Sequence, residues 1–272
     1  TDDEILKVRK TYYGMCAETD YLLGRVIDAA ERTGHTLENT YFVFVSDHGE
    51  MNMEHRQVWK NSMYEASSRV PMIIAGPNVR ENVVVENLTS LLDVYPTIAD
   101  MVGGSKPEWL DGETLFPFLF EGDENSVSSS GRYVVSQYHS NMGNTGSFMI
   151  RDGPYKYITF GTTLSTFKEY RPQLFNVEKD PDELDDLLLD SSSNEDVLRI
   201  AKELDKKLRS VVDYPTVDHE AIRNDAKVYK KFFLDKYNTT KLQSLWKSAY
   251  TGFSDDDWSK VQSWQEEILS LL

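Results

Sequence analysis

The stretch Tyr41-Phe42-Val43-Phe44-Val45-Ser46-Asp47-His48-Gly49-Glu50 sets strand-forming apolar residues directly against an acid, an imidazole and a glycine. The apolar run over residues 41–46 fits a strand covered on both faces, as in a parallel sheet. A strand that ends in Asp-His-Gly carries polar ligands to the edge of a sheet, where open α/β folds place their active sites.

Upstream, residues 4–33 show helical periodicity. Ile5, Val8, Tyr12, Met15, Leu22, Val26 and Ala30 share one apolar face. Asp2 or Asp3 can cap the start, and Gly34 sits where a terminating glycine belongs. Cys16 falls near the stripe and reads as a buried small hydrophobe. Downstream, residues 47–69 are polar and aromatic, too long for a routine connection and rich in reactive side chains, which predicts a functional loop. Val70 to Ala75 forms a second apolar strand closed by Gly76-Pro77. Val83-Val84-Val85 suggests a short edge strand. A helix is expected from Ser90 or Asp93 to Val102, with Pro96 in its first turn and Gly103-Gly104 at its end. Helix, strand, loop, strand, helix is an α/β order.

A polar, serine-rich stretch from Glu121 to Gly131 marks a candidate boundary. It divides the chain into an α/β part over residues 1–125 and a smaller α+β part over residues 126–272. In the latter, Tyr133 to Gln137, Phe148 to Arg151, Tyr155 to Phe160 and Gln173 to Val177 predict a four-stranded antiparallel sheet, with Asp152-Gly153 as a hairpin signal. Asp180-Pro181-Asp182-Glu183 reads as the acidic start of a helix, with a calcium site as the sharper alternative. Residues 194–211 predict a helix with Val197, Ile200, Leu204, Leu208 and Val211 on one side. The tail is helical and aromatic, with Tyr229, Phe232, Phe233, Trp246, Trp258 and Trp264.

Composition narrows the function. The 272 residues are 40% hydrophobic and 12% aromatic, a globular composition. The net charge of −16 argues against nucleic-acid binding. No apolar run approaches the ~20 residues of a membrane span. The single cysteine makes no internal disulfide. Two sequons, at Asn87 and Asn238, together with the acidic charge, point to a lysosomal or secreted protein. The absence of an initiator Met suggests a fragment or a processed chain.

Asp47 is a hard oxygen ligand, and His48 suits borderline metals. On that pair alone a metal site and a plain turn, with Asp47 capping the next segment, both stay open. Lys60 lies thirteen residues beyond Asp47, after Glu54-His55-Arg56. A metal with a Lys and a His beside it would make an electropositive pocket suited to a phosphate or sulfate ester. For Lys60, His55 and Arg56 the alternative is a solvated loop face.

Ser46-Asp47-His48-Gly49-Glu50, Glu54-His55-Arg56-Gln57, Lys60, Ser62-Met63-Tyr64-Glu65-Ala66-Ser67 and Arg69-Val70-Pro71 resemble the sulfatase family. Ser90 to Thr97, Pro172 to Phe175 and Asp180 to Leu184 continue the resemblance in order, as do Tyr12-Tyr13-Gly14, Asp20 and Leu23-Gly24-Arg25 before it. The resemblance implies an incomplete alkaline-phosphatase-like domain, a mixed sheet flanked by helices, followed by the smaller subdomain. It implies that Asp47 and His48 hold a calcium ion, that Lys60 binds the sulfate group, and that His55 and Arg56 line the substrate. His at position 48, where many members have Asn, and His139 in Gln137-Tyr138-His139-Ser140, point to a branch acting on sulfated uronates, such as a 2-sulfoglucuronate of a heparan-type chain. His139 equally fits a strand-end histidine with no ligand.

The family's nucleophile is a formylglycine made from Cys-x-Pro/Ala-x-Arg. Met15-Cys16-Ala17-Glu18-Thr19 is not that motif. The expectation is therefore the C-terminal part of a sulfatase acting on a sulfated carbohydrate or aryl sulfate ester, inactive alone, with the N-terminal part of the domain as its partner. A phosphodiesterase or phosphatase of the same superfamily and a non-catalytic carbohydrate-binding relative are the alternatives.

Overall fold

The computed structural model describes residues 1–120, 131–139, 145–165, 170–189, 194–250 and 252–272. The chain divides into two compact units, Thr1–Val134 and Val135–Leu272. The expected division at 125/126, most of the serine-rich stretch and Ser140 lie outside the described residues.

The first unit begins with α1 (Asp2–Arg32). Thr1, rather than Asp2 or Asp3, caps it. Its hydroxyl accepts from the Glu4 amide while the Glu4 carboxylate reaches back to Thr1, a reciprocal capping box. Three acids in the first turn complement the helix dipole. Its apolar stripe is not covered by the described residues: Val8, Met15, Leu22 and Val26 are exposed. Cys16 is exposed with them, which corrects its reading as a buried hydrophobe. The periodicity is real, but periodicity reports a face and not what lies against it.

β1 (Phe42–Val45) and β4 (Met72–Ala75) form a two-stranded sheet. They pair antiparallel, Phe42 opposite Ala75 and Val45 opposite Met72, and both are half-buried. This corrects the parallel, doubly covered expectation. Parallel neighbours need a crossover of a dozen or more residues, usually a helix. The link between these strands holds only β2 (Met51–Asn52), β3 (Val58–Trp59), a 3₁₀ turn (Glu54–Arg56) and the four-residue α2 (Glu65–Ser68), so the chain returns in the opposite direction. Residues 83–85 are not a strand. A 3₁₀ turn at Leu91–Asp93 leads into α3 (Val94–Met101), and α4 (Phe116–Leu119) follows.

Asp93 ties this end together. Its buried carboxylate accepts from the amides of Ser90 and Glu113 and from the Arg132 guanidinium. Three donors converge on one carboxylate, which satisfies a charge that burial would otherwise penalise.

In the second unit, β5 (Tyr133–Tyr138), β6 (Ser147–Asp152), β7 (Tyr155–Phe160) and β8 (Gln173–Asn176) lie in that order in one sheet. β6, β7 and β8 pair antiparallel. Asp152 faces Tyr155, leaving Gly153-Pro154 as a two-residue loop with Gly153 at φ 54°, the left-handed backbone that such hairpins need. Phe148, Ile150, Leu174 and Phe175 are buried on this sheet. α5 (Glu195–Val211) adds Ala201, Leu204 and Leu208, while Val211 of its expected face is exposed.

α6 (Tyr214–Tyr229) is fixed by Asp218, whose buried carboxylate accepts from the Gly146 amide at 2.6 Å and the Thr163 amide at 3.1 Å. A Cβ at Gly161 would fall 1.9 Å from that carboxylate, so only glycine fits there. Tyr157 and Tyr214 both donate to Asp205. Burial first, and then the Asp205 carboxylate, pushes the Tyr214 phenol up to about 12. α7 (Thr239–Ala249) and α8 (Asp255–Leu269) complete the chain. Leu164, Ile222, Ala226, Tyr229, Trp264 and Ile268 form the core of this end.

The acidic run 180–183 is not a helix. Glu183 is buried at φ 54°, and its carboxylate sits 2.9 Å from the Lys156 ammonium on β7, itself fully buried. The dipole argument for a solvated helix start is outweighed by this tertiary ion pair. Removing one partner of such a pair costs about 3–5 kcal/mol, because the other charge is stranded. Lys156→Met should therefore lower the unfolding free energy by about that amount in urea titrations, and Lys156→Met with Glu183→Leu should recover most of it. A double variant destabilised by the sum of Lys156→Met and Glu183→Leu alone would show that the pair carries no coupling.

Candidate functional site

The turn after β1 is held by backbone. The Gly49 amide donates to the Ser67 carbonyl at 2.8 Å and the Glu50 amide to the Ala66 carbonyl at 2.9 Å. A Cβ at Gly49 would lie 2.1 Å from the Ala66 oxygen, so the close approach requires glycine. With this backbone fixed, Asp47 and His48 project from the strand end.

Asp47 Oδ1 accepts from the His48 amide at 3.0 Å. His48 Nδ1 lies 2.8 Å from the Gly49 carbonyl, which can only accept, so Nδ1 carries the proton. That leaves the Nε2 lone pair free to accept, and Lys60 Nζ meets it at 2.7 Å. Asp47 Oδ2 lies 3.5 Å from the same nitrogen. A carboxylate oxygen, an imidazole lone pair and an ammonium thus converge. His48 is partly exposed and Asp47 largely so, and the cluster opens to solvent.

Lys60 arrives by a strained path. Met53, His55, Arg56 and Trp59 all have left-handed backbone, φ 49–73°. None is glycine, and each such residue costs on the order of 1 kcal/mol or more. Several bonds hold the path. Glu50 Oε1 accepts from the Trp59 amide. Ser67 Oγ donates to the Lys60 carbonyl at 2.9 Å. Arg9 of α1 donates to the Asn52 carbonyl at 3.0 Å and lies 3.5 Å from Glu54. Strained backbone held this way clusters at functional sites.

The other expected residues are placed differently. The His55 ring stacks on Tyr64, 3.9 Å between centroids and nearly coplanar. Arg56 is exposed. His139 belongs to the second unit, just past β5. It meets the Phe148 ring edge-on at 5.2 Å and packs on Gly146, where a Cβ would fall 2.8 Å from its Nδ1. Both its ring nitrogens are buried without a hydrogen-bond partner among the described residues. Sequence reasoning did not single out Glu50, Ser67 or Arg9. They act through backbone atoms, and only the glycine after His48 hints that backbone must come close.

Calcium takes six to eight oxygens at about 2.3–2.6 Å. Asp47 supplies one exposed carboxylate and His48 one lone pair, so the residues fit part of a cation site. Among the described residues no group of three or more potential ligands converges. A cation on Nε2 would take the lone pair that Lys60 now holds. An apolar cleft of about 320 Å³ lies elsewhere in this unit, lined by Ile73, Val83, Val84, Phe118 and Leu119 among others and by none of these residues.

Comparison with known proteins places the chain. The sulfatase family model matches residues 1–104, and the model described as N-sulphoglucosamine sulphohydrolase, C-terminal, matches residues 53–213. Arylsulfatase K of Danio rerio is 37% identical over 98% of this chain and 48% of its own length. The chain thus spans about half the length, or less, of the curated relatives it matches. Among solved structures, a 2-O GAG sulfatase aligns at 31% identity and TM-score 0.56, over 66% of this chain and 38% of that one. The phosphonate monoester hydrolase of Silicibacter pomeroyi aligns at 26% identity and TM-score 0.64, over 79% and 43%.

The tautomer is directly measurable. In ¹⁵N spectra of the neutral ring, His48 should show a protonated Nδ1 and an unprotonated Nε2, and Lys60→Met should move the Nε2 resonance while leaving Nδ1 protonated. A protonated Nε2 would overturn this hydrogen-bond arrangement.

Proposed function

Because the chain belongs to the sulfatase family, we propose that it supplies one part of a sulfuric ester hydrolase acting on a sulfated carbohydrate or aryl sulfate. The observation that carries this reading is the convergence of Asp47, His48 and Lys60 at the end of β1. In it, Asp47 and His48 would hold one side of a calcium ion. Bound there, calcium would draw charge from the sulfate oxygens and raise the electrophilicity of sulfur. The Lys60 ammonium, which meets Nε2 at 2.7 Å, would turn to a sulfate oxygen and stabilise the charge that grows on it during transfer. The Nδ1 hydrogen bond to Gly49 keeps the His48 ring oriented throughout.

The remaining calcium ligands, the formylglycine nucleophile and the general acid belong, in this reading, to the N-terminal part of the domain. The exposed apolar stripe of α1 and the half-open faces of β1 and β4 are the surfaces that part would cover. His55, Arg56 and His139 are proposed to contact the sugar, and a terminal 2-sulfated uronate of a heparan-type chain is the proposed substrate. Its support is the relatedness to arylsulfatase K and to the 2-O GAG sulfatase. A lysosomal or secreted location is proposed from the sequons at Asn87 and Asn238.

A second reading, phosphoryl or phosphonyl transfer at the same cluster, is favoured by the similarity to the phosphonate monoester hydrolase. The full-length gene product discriminates. With Cys-x-Pro/Ala-x-Arg upstream, aryl sulfate should turn over faster than aryl phosphonate, and Lys60→Ala should lower sulfate turnover by about 10²–10³. Unchanged turnover in that variant would remove Lys60 from the mechanism. The 272-residue chain alone should show none.

A further inference from the structure

The net charge of −16 is unevenly spread. Residues 221–247 hold seven cations and two carboxylates, Asp225 and Asp235, an excess of five positive charges. Lys247 is paired with Asp255 at 2.9 Å. The other six, Arg223, Lys227, Lys230, Lys231, Lys236 and Lys241, are exposed and form no ion pair among the described residues. Elsewhere in the second unit Arg199, Lys207, Arg209 and Lys260 each have a carboxylate partner, while Lys202 and Lys206 of α5 are exposed without an ion pair among the described residues, but singly rather than gathered around a ring.

The six form a surface feature. Arg223 and Lys227 are one turn apart on α6, and Lys230 and Lys231 continue that face. The opposite face, Ile222, Ala226 and Tyr229, is buried with Trp264 and Ile268, which fixes the strip's orientation. At Lys230–Leu234 the helix widens to a π turn, closed by the Asp235 amide on the Lys230 carbonyl at 2.9 Å. Such turns are rare and frequent at functional sites. This one brings Lys231 and Lys236, five residues apart, to the same ring: their ammoniums lie 5.4 and 5.0 Å from the Phe232 centroid. Phe232 is 47% exposed, and Tyr237 beyond it 39%. Like charges gathered without counter-charges repel, which destabilises the folded strip unless an anion arrives.

We propose that this strip is a second binding surface, for the chain of a sulfated polysaccharide. Sulfate and carboxylate groups would sit on the lysines and a sugar face on Phe232. The choice of a sulfated sugar among polyanions rests on the sulfatase reading.

The test measures binding by the 272-residue chain, using fluorescence anisotropy with a labelled heparin octasaccharide. A fully desulfated, N-acetylated octasaccharide and a single-stranded DNA 12-mer serve as comparisons. The heparin probe should bind with log K falling linearly in log salt. The desulfated probe should bind at least tenfold more weakly, and so should the heparin probe with the Lys227→Glu, Lys231→Glu, Lys236→Glu variant. Phe232→Ser should weaken binding without changing the salt slope, and Lys10→Ala, an exposed cation of α1, should leave it within twofold. No binding of heparin, an unchanged triple variant, or equally tight binding of DNA would overturn the proposal. So would loss of binding in Lys10→Ala, which would transfer the contact to the first unit. Because the readout is binding, failure of the sulfatase reading in a turnover assay leaves this measurement intact.

Discussion

The backbone approach between Gly49 and Ala66 is the constraint on which the first unit's chemistry depends. Two amide bonds close the gap, and there is no room for a methyl group. That contact stops β1 and turns the chain, so that Asp47 and His48 leave the strand end side by side. It also aims the Gly49 carbonyl at His48 Nδ1. The tautomer that exposes Nε2 is therefore set by main-chain geometry, not by a neighbouring acid. Lys60 then reaches Nε2 along a path of four left-handed residues that Glu50, Ser67 and Arg9 hold in place.

Charge is handled in two ways in this acidic chain. Inside, single carboxylates gather several donors: Asp93 takes two amides and a guanidinium, Asp218 two amides, and Glu183 the Lys156 ammonium. Each joins segments far apart in sequence, so charge there specifies how loops dock on sheets and helices. Outside, several cations have no ion pair among the described residues, and for two groups of them we propose a ligand that supplies the counter-charge. Lys60 beside the strand end and the six cations near the π turn are the two places where the pattern is clearest.

Much of this was legible in the sequence, and the failures share a cause. Local signals served well. Helical periodicity, the Asp152-Gly153 hairpin signal and the strand runs of the four-stranded sheet all report on neighbours a few residues away, and their elements are present. Non-local choices were missed. The apolar run 42–45 announced a strand but not its direction, which goes with a link that holds no crossover helix. Cys16 lay on an apolar face, and sequence does not say whether a face is covered. Asp180 to Glu183 looked like a helix start because the partner of Glu183 is 27 residues away, at Lys156. At the candidate site, Asp-His-Gly followed by Lys is a chemical pattern, and the structure brings Asp47, His48 and Lys60 together while leaving His55, Arg56 and His139 outside that cluster. The backbone that arranges them was not legible, because carbonyls carry no sequence identity.

The most direct test of the central claim is a calcium titration of the full-length gene product by calorimetry, comparing the native protein with Asp47→Ala and His48→Ala. One calcium per chain should bind in the native protein, with affinity at least tenfold weaker in each variant. Unchanged calcium affinity in both variants would contradict the assignment of the β1 strand end as part of the metal site.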